Sequence, residues 1–319
     1  MRHALYLRLF ICLPLLIGGQ VVLANPSPTV DQEVLASIDK VPPPPKSIDD
    51  LVKLLNASRP DPESIRKKEA IADAQPPAGM VGEQLYFFYK ERAKAAEGLS
   101  RVKQLKEDCR LELQYVGSDK DLQNDARRDC IQAEFLDGNP LKAVELLKEA
   151  LSKIPAGQSY GWQLSYNMLL INAYRMMGDF EAAESAMREV DGLLTVLRSG
   201  RGWAEFGYHW TYQAERARGE YLQAQGKHIP AELSFIRALS AVNSRIKQME
   251  ESGNSNSTRR VHDVSNFYFS KAVVLQRLGN SLVAQRKLVE AEYYLRLSLK
   301  EFLRLSSRNS TTVSGVLNS

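Results

Sequence analysis

From Gly82 onward, apolar residues recur at intervals of three and four, the spacing that gathers one stripe on an α-helix, and prolines thin out to Pro140, Pro155 and Pro230. Laid over itself, this stretch yields four matching segments: Arg127 to Pro155, Asn167 to Val190, Glu215 to Ala238 and Leu275 to Ser298. Each reads as helix, tight turn, helix. The turns fall at Gly138-Asn139, Gly178-Asp179, Gly226-Lys227 and Arg286-Lys287, and glycine there permits the left-handed backbone that ends many helices. The second helices repeat Ala143, Ala183, Ala231 and Ala291, then Leu147, Met187, Phe235 and Leu295, then Ala150, Val190, Ala238 and Ser298. Small residues let paired helices approach closely, and larger ones a turn later fill the groove toward the next pair. One hairpin cannot bury both of its faces, so the pattern predicts an all-α tandem helix-turn-helix array, an α-solenoid, over residues 82–305. A weaker copy occupies Tyr89 to Leu113, with Ser100 and Arg101 at its turn. The turn-to-turn intervals of 40, 48 and 60 residues exceed the ~34 of the common helical-hairpin repeat. Longer helices or inserted loops must make up the difference, and Gly253 to Ser257 and Ser199 to Gly202 have the composition of insertions.

Upstream of the array the pattern is shorter and more broken. Residues 25–46 contain Pro26, Pro28 and the run Pro42 to Pro45, which favours a stiff, extended spacer. Residues 47–77 predict two short helices. Ser47 with Asp50 resembles a capping box ahead of Ile48, Leu51, Val52 and Leu55, and Asp61-Pro62 opens a second helix that runs to about Ala74. Residues 306–319 read as a flexible tail or the start of an incomplete hairpin.

Arg2, His3 and Arg8 precede the apolar stretch Leu9 to Ile17, and Val22-Leu23-Ala24 supplies a small residue before a cut, the three parts of a secretory signal over residues 1–24. Cleavage after Ala24 is expected, which places the mature chain in the periplasm or outside the cell. Leu9 to Ile17 is about half of the ~20 residues a spanning helix needs, so no stable membrane insertion is expected once the leader is gone. Composition changes the picture little, since 44% hydrophobic and 25% charged residues are ordinary globular usage. The net charge of +4 falls to +2 without Arg2 and Arg8, leaving 40 Lys and Arg against 38 Asp and Glu. That balance offers no concentrated basic face, and nucleic acid is not an expected partner.

Candidate chemistry is sparse. Beyond Cys12 the cysteines are Cys109 and Cys130, and none of His209, His228 and His262 falls beside either in the repeat alignment. There is no Cys-x-x-Cys, no paired-histidine spacing, no phosphate-cradling glycine loop and no dinucleotide fingerprint. The expectation is therefore no catalytic residue, no metal, no cofactor and no enzymatic activity. Trp203, Phe206, Tyr208, Trp210 and Tyr212 concentrate aromatics before the fourth hairpin. They read first as an element packing on the preceding repeat, and alternatively as a partner-binding hot spot.

The stretches LLINAYRMMGDFEAAESAMREV and FLDGNPLKAVELLKEALSKIP, the latter closing on Pro155, resemble tetratricopeptide repeats, and the resemblance extends over about Arg127 to Ser298. It implies a scaffold that binds a protein or peptide on a concave side lined by the first helix of each pair. Carried over by alignment, the implied partner-binding residues are Arg128, Gln132 and Phe135, then Met168, Asn172 and Arg175, then Arg216, Glu220 and Gln223, then Gln276 and Asn280. Members that grip a terminal carboxylate use lysine and asparagine at fixed places; Asn172 fits, but Met168 stands where lysine is wanted. In the same alignment Cys109 and Cys130 lie on neighbouring helices, as a disulfide or as two buried thiols. The disulfide would contribute ~3 kcal/mol in the chain-entropy model. The proline spacer, small helices, long-spaced repeats and an unfinished end at Ser310 to Leu317 are also similar to the front part of bacterial proteins that place such repeats before a caspase-like (CHAT) protease domain. That likeness implies a recognition portion whose catalytic domain is absent from this chain.

Overall fold

The computed structural model describes residues 43, 46–57, 62–251 and 264–306. The expected leader, nearly all of the proline-rich stretch, the Gly253 to Ser257 insertion and the C-terminal tail lie outside the described residues. Twelve helices and no strand are present among those described: α1 (Ile48–Ala57), α2 (Pro62–Ala72), α3 (Glu83–Gly98), α4 (Val102–Tyr115), α5 (Lys120–Leu136), α6 (Pro140–Ser152), α7 (Tyr160–Met177), α8 (Phe180–Arg198), α9 (Trp203–Ala224), α10 (His228–Glu251), α11 (Val264–Ala284) and α12 (Leu288–Ser306). Helices α3 to α12 form five consecutive antiparallel hairpins, each packed on the next. The chain is an all-α solenoid.

One turn geometry makes all five hairpins. A left-handed residue lies one or two positions after each first helix: Ser100 at φ 58°, Gly138 at 72°, Gly178 at 75°, Gly226 at 72° and Arg286 at 62°. The following N–H then reaches back to the carbonyl five residues earlier, from Arg101 to Ala96, Asn139 to Glu134, Asp179 to Tyr174 and Lys227 to Leu222 at 2.9 Å each, and from Lys287 to Leu282 at 3.0 Å. This closes the last carbonyls of the first helix. Asn139 and Asp179 also cap the second helix, accepting from the backbone N–H of Lys142 and Ala182 at 3.2 and 3.0 Å. The hairpin that is weak in sequence, α3–α4, turns like the others, with Ser100 bearing a strain that glycine avoids.

Packing follows the repeated offsets. Ala143, Ala183 and Ala231 are fully buried and Ala291 nearly so. In the fourth and fifth hairpins the first helix carries glycine at the contact. A Cβ on Gly219 would lie 2.5 Å from the Phe235 ring, and one on Gly279 would lie 2.6 Å from Leu295. The main core runs from Ile131 on α5 through α6, α7 and α8 to Tyr221 on α9, and a second core joins α9 and α10 to α11 and α12. The short helix α2 caps the N-terminal end, since Gln104 Nε2 and Arg92 Nη1 donate to the carbonyls of Ala72 and Ala74 at 2.5 and 3.2 Å, and Ala72 is buried. Repeat arrays need such covered ends.

Ser199 to Gly202 is a tight connection between α8 and α9, not an insertion, so the 48-residue interval comes from longer helices: 19 residues in α8 against 13 in α6. The aromatic cluster begins α9 directly. Helical geometry splits its alternating members: Trp203, Phe206 and Trp210 gather on one side, with ring centroids 5.6 to 6.1 Å from Trp210, while Tyr212 is buried and Tyr208 is exposed.

Candidate functional site

The first helices frame a hollow of about 390 Å3. Every wall residue belongs to α5, α7, α9 or α11, the first helices of the second to fifth hairpins, and none to a second helix. The antiparallel turns cause this arrangement, because each sends its second helix away and leaves the first helices as an inner row. Met168, Leu169 and Met176 of α7, Ala217 of α9 and Val273 of α11 give the walls apolar surface, and Gln132 and Asn172 give them amides.

Three arginines converge there: Arg175 from α7, Arg216 from α9 and Arg277 from α11. The hollow has one carboxylate, Glu220, which is 3.9 Å from Arg175 and 3.6 Å from Arg277. Both separations give charge attraction but exceed hydrogen-bond length. Arg175 Nη2 donates to Asn172 Oδ1, which occupies that carbonyl and leaves the amide N–H groups of Asn172 for other acceptors. Arg216 makes no ion pair and no side-chain hydrogen bond among the described residues; its guanidinium lies 5.6 Å from the centre of the Tyr212 ring. Tyr212 and, at longer range, Glu220 raise the Arg216 pKa above the usual arginine value against the opposing effect of burial. The Nε atoms of Arg175, Arg216 and Arg277 are all shielded from solvent; those of Arg175 and Arg216 have no acceptor from the protein, and that of Arg277 faces Glu220 Oε1 at 3.6 Å.

Of the residues implied by the sequence, the fold brings Gln132, Met168, Asn172, Arg175, Arg216 and Glu220 together around this hollow. The others lie elsewhere. Arg128 pairs with Asp125 and Asp129 and faces the Trp162 ring. Phe135 packs against the main core, and Gln223 and Asn280 are half-buried outside the hollow. Gln276, expected to be exposed, is buried. The reason is geometric: as an end helix of the hollow, α11 contributes only the edge turned toward α9, which carries Val273 and Arg277. The 60-residue offset between α9 and α11 makes these the equivalents of Gln213 and Ala217, not of Arg216 and Glu220. Sequence reasoning missed Val273 and Arg277 for this reason, their offset from Gln213 and Ala217 being the available signal, and it also left out Gln213 and Ala217 on α9 and Ser165, Leu169, Ile171 and Met176 on α7.

A second charged locus sits where α3, α4 and α5 meet. Lys90 Nζ donates to Asp125 and Asp129 at 2.6 and 2.7 Å and lies 3.9 Å from Glu112, which is fully buried. Burial, reinforced by the nearby Asp129, pushes the Glu112 pKa up to about 8, so it is mostly protonated at neutral pH. Arg92 Nε holds the buried Asp108 at 3.0 and 3.1 Å. Beside them Cys109 and Cys130 are bonded, with Cα atoms 5.1 Å apart, inside a small core with Ala93, Ala96, Leu105 and Ala133. A further hollow of about 430 Å3 lies between α9 and α10; its one charged residue, Arg237, is already paired with Glu215 at 3.0 Å. Among the described residues no cluster of His, Cys, Asp or Glu is placed to hold a metal, and no helix is long and apolar enough to cross a membrane.

The fold and its inner row define the class: an all-α solenoid of stacked helical hairpins. No family model matches the chain, and no curated protein matches it. Among solved structures, it is similar to BtubC (BKLC) from P. vanneervenii, at 15% identity and a TM-score of 0.46 over 80% of this chain and 92% of that one. It is also similar to the nearly identical TPR-like repeats of a candidate kinesin light chain from Podosopora anserina, at 14% identity and a TM-score of 0.37 over 72% of this chain and 96% of that one.

Proposed function

We infer that this protein is an exported interaction scaffold, without enzymatic activity, whose concave face binds an extended segment of a protein or peptide. The observation that carries this reading is the 390 Å3 hollow walled solely by first helices, which places polar donors and apolar surface from four successive hairpins in one trough. Such a trough is preorganised, because its side chains project from packed helices and little ordering is left for the moment of binding. Export is supported by the basic, apolar and small-residue sequence of the leader, and by the Cys109–Cys130 bond, since disulfides persist mainly in oxidising compartments.

Panning a random twelve-residue peptide library over the immobilised protein tests the binding reading. Selected peptides are expected to bind in a saturable manner, and to lose binding when Gln213→Trp fills the trough. Failure to select any peptide, or full binding by that variant, overturns the concave-face assignment. For export, N-terminal sequencing of the protein recovered from the cell envelope or medium should begin at Asn25, and an N-terminus at Met1 contradicts cleavage.

A further inference from the structure

Resting on that binding reading, we propose that the trough is a carboxylate receptor: the convergence of Arg175, Arg216 and Arg277 on Glu220 recognises an internal Asp or Glu side chain of the bound segment. Three guanidinium groups against one carboxylate leave a formal surplus of +2 within one hollow. Like charges brought together in partly apolar surroundings repel, and their shared counter-ion sits at 3.6 and 3.9 Å without a hydrogen bond. The shielded Nε–H donors of Arg175 and Arg216 lack a protein acceptor, that of Arg277 reaches Glu220 only at 3.6 Å, and a buried donor left without a partner is costly. An acceptor-only group entering the trough answers both deficits at once, and the planar guanidinium matches a carboxylate with two parallel hydrogen bonds.

The surroundings narrow the anion further. Glu220 lies within 4 Å of Arg175 and Arg277, so Arg216 is the guanidinium with no ion pair among the described residues and the first a ligand carboxylate meets. A phosphate dianion would meet the Glu220 carboxylate in the same hollow. The apolar surface of Met168, Leu169 and Val273 suits the stem of an acidic side chain and lowers the local dielectric, which strengthens its attraction to Arg216. The inner row continues beyond the trough through α5 to α3, which the Lys90 contacts to Asp125 and Asp129 join. A segment lying along that row passes over the arginines and dips a side chain among them, instead of ending there. Glu220 then acts as an internal competitor that a bound carboxylate relieves of its arginines.

The test uses the full chain and a peptide selected as above, with both ends capped. Exchanging its acidic residue for Gln or Asn should weaken binding at least about ten-fold by fluorescence anisotropy, as should Arg216→Met in the protein. Glu220→Gln should tighten binding about three-fold by removing the competitor. Thermal melting of each variant separates a lost contact from a lost fold. Selected peptides without a shared acidic residue, or with unchanged affinity for folded Arg216→Met, overturn the proposal while leaving the scaffold reading standing. A peptide that gains affinity when its acidic residue becomes Gln and its C-terminus is freed assigns the arginines to a chain end and overturns the internal side chain. Tighter binding of a phosphoserine replacement overturns the monoanion. If no peptide is selected at all, the binding reading itself has failed.

Discussion

Lys90 and Arg216 are both cations held by first helices, yet they stand in opposite electrostatic surroundings. Lys90 lies within 4 Å of three carboxylates, two of them hydrogen-bonded, and the nearby Cys109–Cys130 bond ties α4 to α5. Arg216 has no carboxylate partner among the described residues and shares its hollow with two more arginines. The same hairpin geometry thus supports two uses of buried charge. At the N-terminal end Lys90 is hydrogen-bonded to Asp125 and Asp129 and locks helices together, although the buried Glu112 carboxyl beside them has no hydrogen-bond partner. In the middle of the array the charges are left partly unsatisfied, which costs stability and makes sense for a surface that awaits a partner.

The largest expected effect comes from exchanging each cation for a neutral side chain of similar length. Lys90→Met leaves Asp125 and Asp129, half-sealed, with Arg128 as their remaining cation and should cost about 3 kcal/mol in urea unfolding. Arg216→Met should stay within about 0.5 kcal/mol of wild type or raise stability. Equal losses in the two variants would erase the distinction between the regions. Next in size, reducing the Cys109–Cys130 bond, or replacing both cysteines by Ala, should lower the unfolding free energy by about 3 kcal/mol. Limited proteolysis after reduction should cut first in α3 to α5, ahead of the central hairpins.

The Glu112 carboxyl gives the N-terminal region a pH dependence. Its pKa in the folded protein is raised to about 8 from 4.5, so the folded state holds a proton that the unfolded state releases. Stability from this group is therefore complete below about pH 4.5, falls as pH rises toward 8, and is level beyond. Between pH 6 and 9 the loss should be on the order of 2 kcal/mol. Glu112→Gln should abolish most of that slope, with little change near pH 4 and a gain of about 2 kcal/mol at pH 6 that grows toward pH 8, and an unaltered slope would show that Glu112 is not its source. The smallest effect concerns what the regions share. Arg286→Gly, at φ 62°, should relieve left-handed strain and stabilise the protein by up to about 1 kcal/mol. Gly178→Ala, at φ 75°, should destabilise it by about 1 kcal/mol; both are read by thermal melting.

The array was legible because its constraint is repeated. Ala143, Ala183, Ala231 and Ala291 occupy the same contact in successive hairpins, and five turns use one backbone geometry, so each copy corroborates the rest. Even Ser100 and Arg286, which break the glycine pattern, follow it in space. Met168, Asn172 and Arg175 of α7 and Arg216 and Glu220 of α9 could be read from the resemblance, because both helices are central to the trough. At its margin only one edge of each helix takes part, and a single helical step moves a residue from the trough to the core. That is why Gln276 is buried while Arg277 reaches Glu220. The charged cluster around Lys90 left no periodic trace. It depends on α3, α4 and α5 meeting, with Asp125 and Asp129 falling on one face of α5 through a four-residue spacing that surface ion pairs share.

The most direct test of the difference between the two cations is an arginine Nε–H and lysine Nζ NMR spectrum of the full chain, recorded with and without a capped acidic peptide selected by panning. The account predicts that the Nε–H resonances of Arg175, Arg216 and Arg277 shift on binding, with Arg216 moving most, while Lys90 and Arg92 stay in place. Shifts confined to Arg237 beside the α9–α10 hollow, or to Lys90 and its carboxylates, would contradict it.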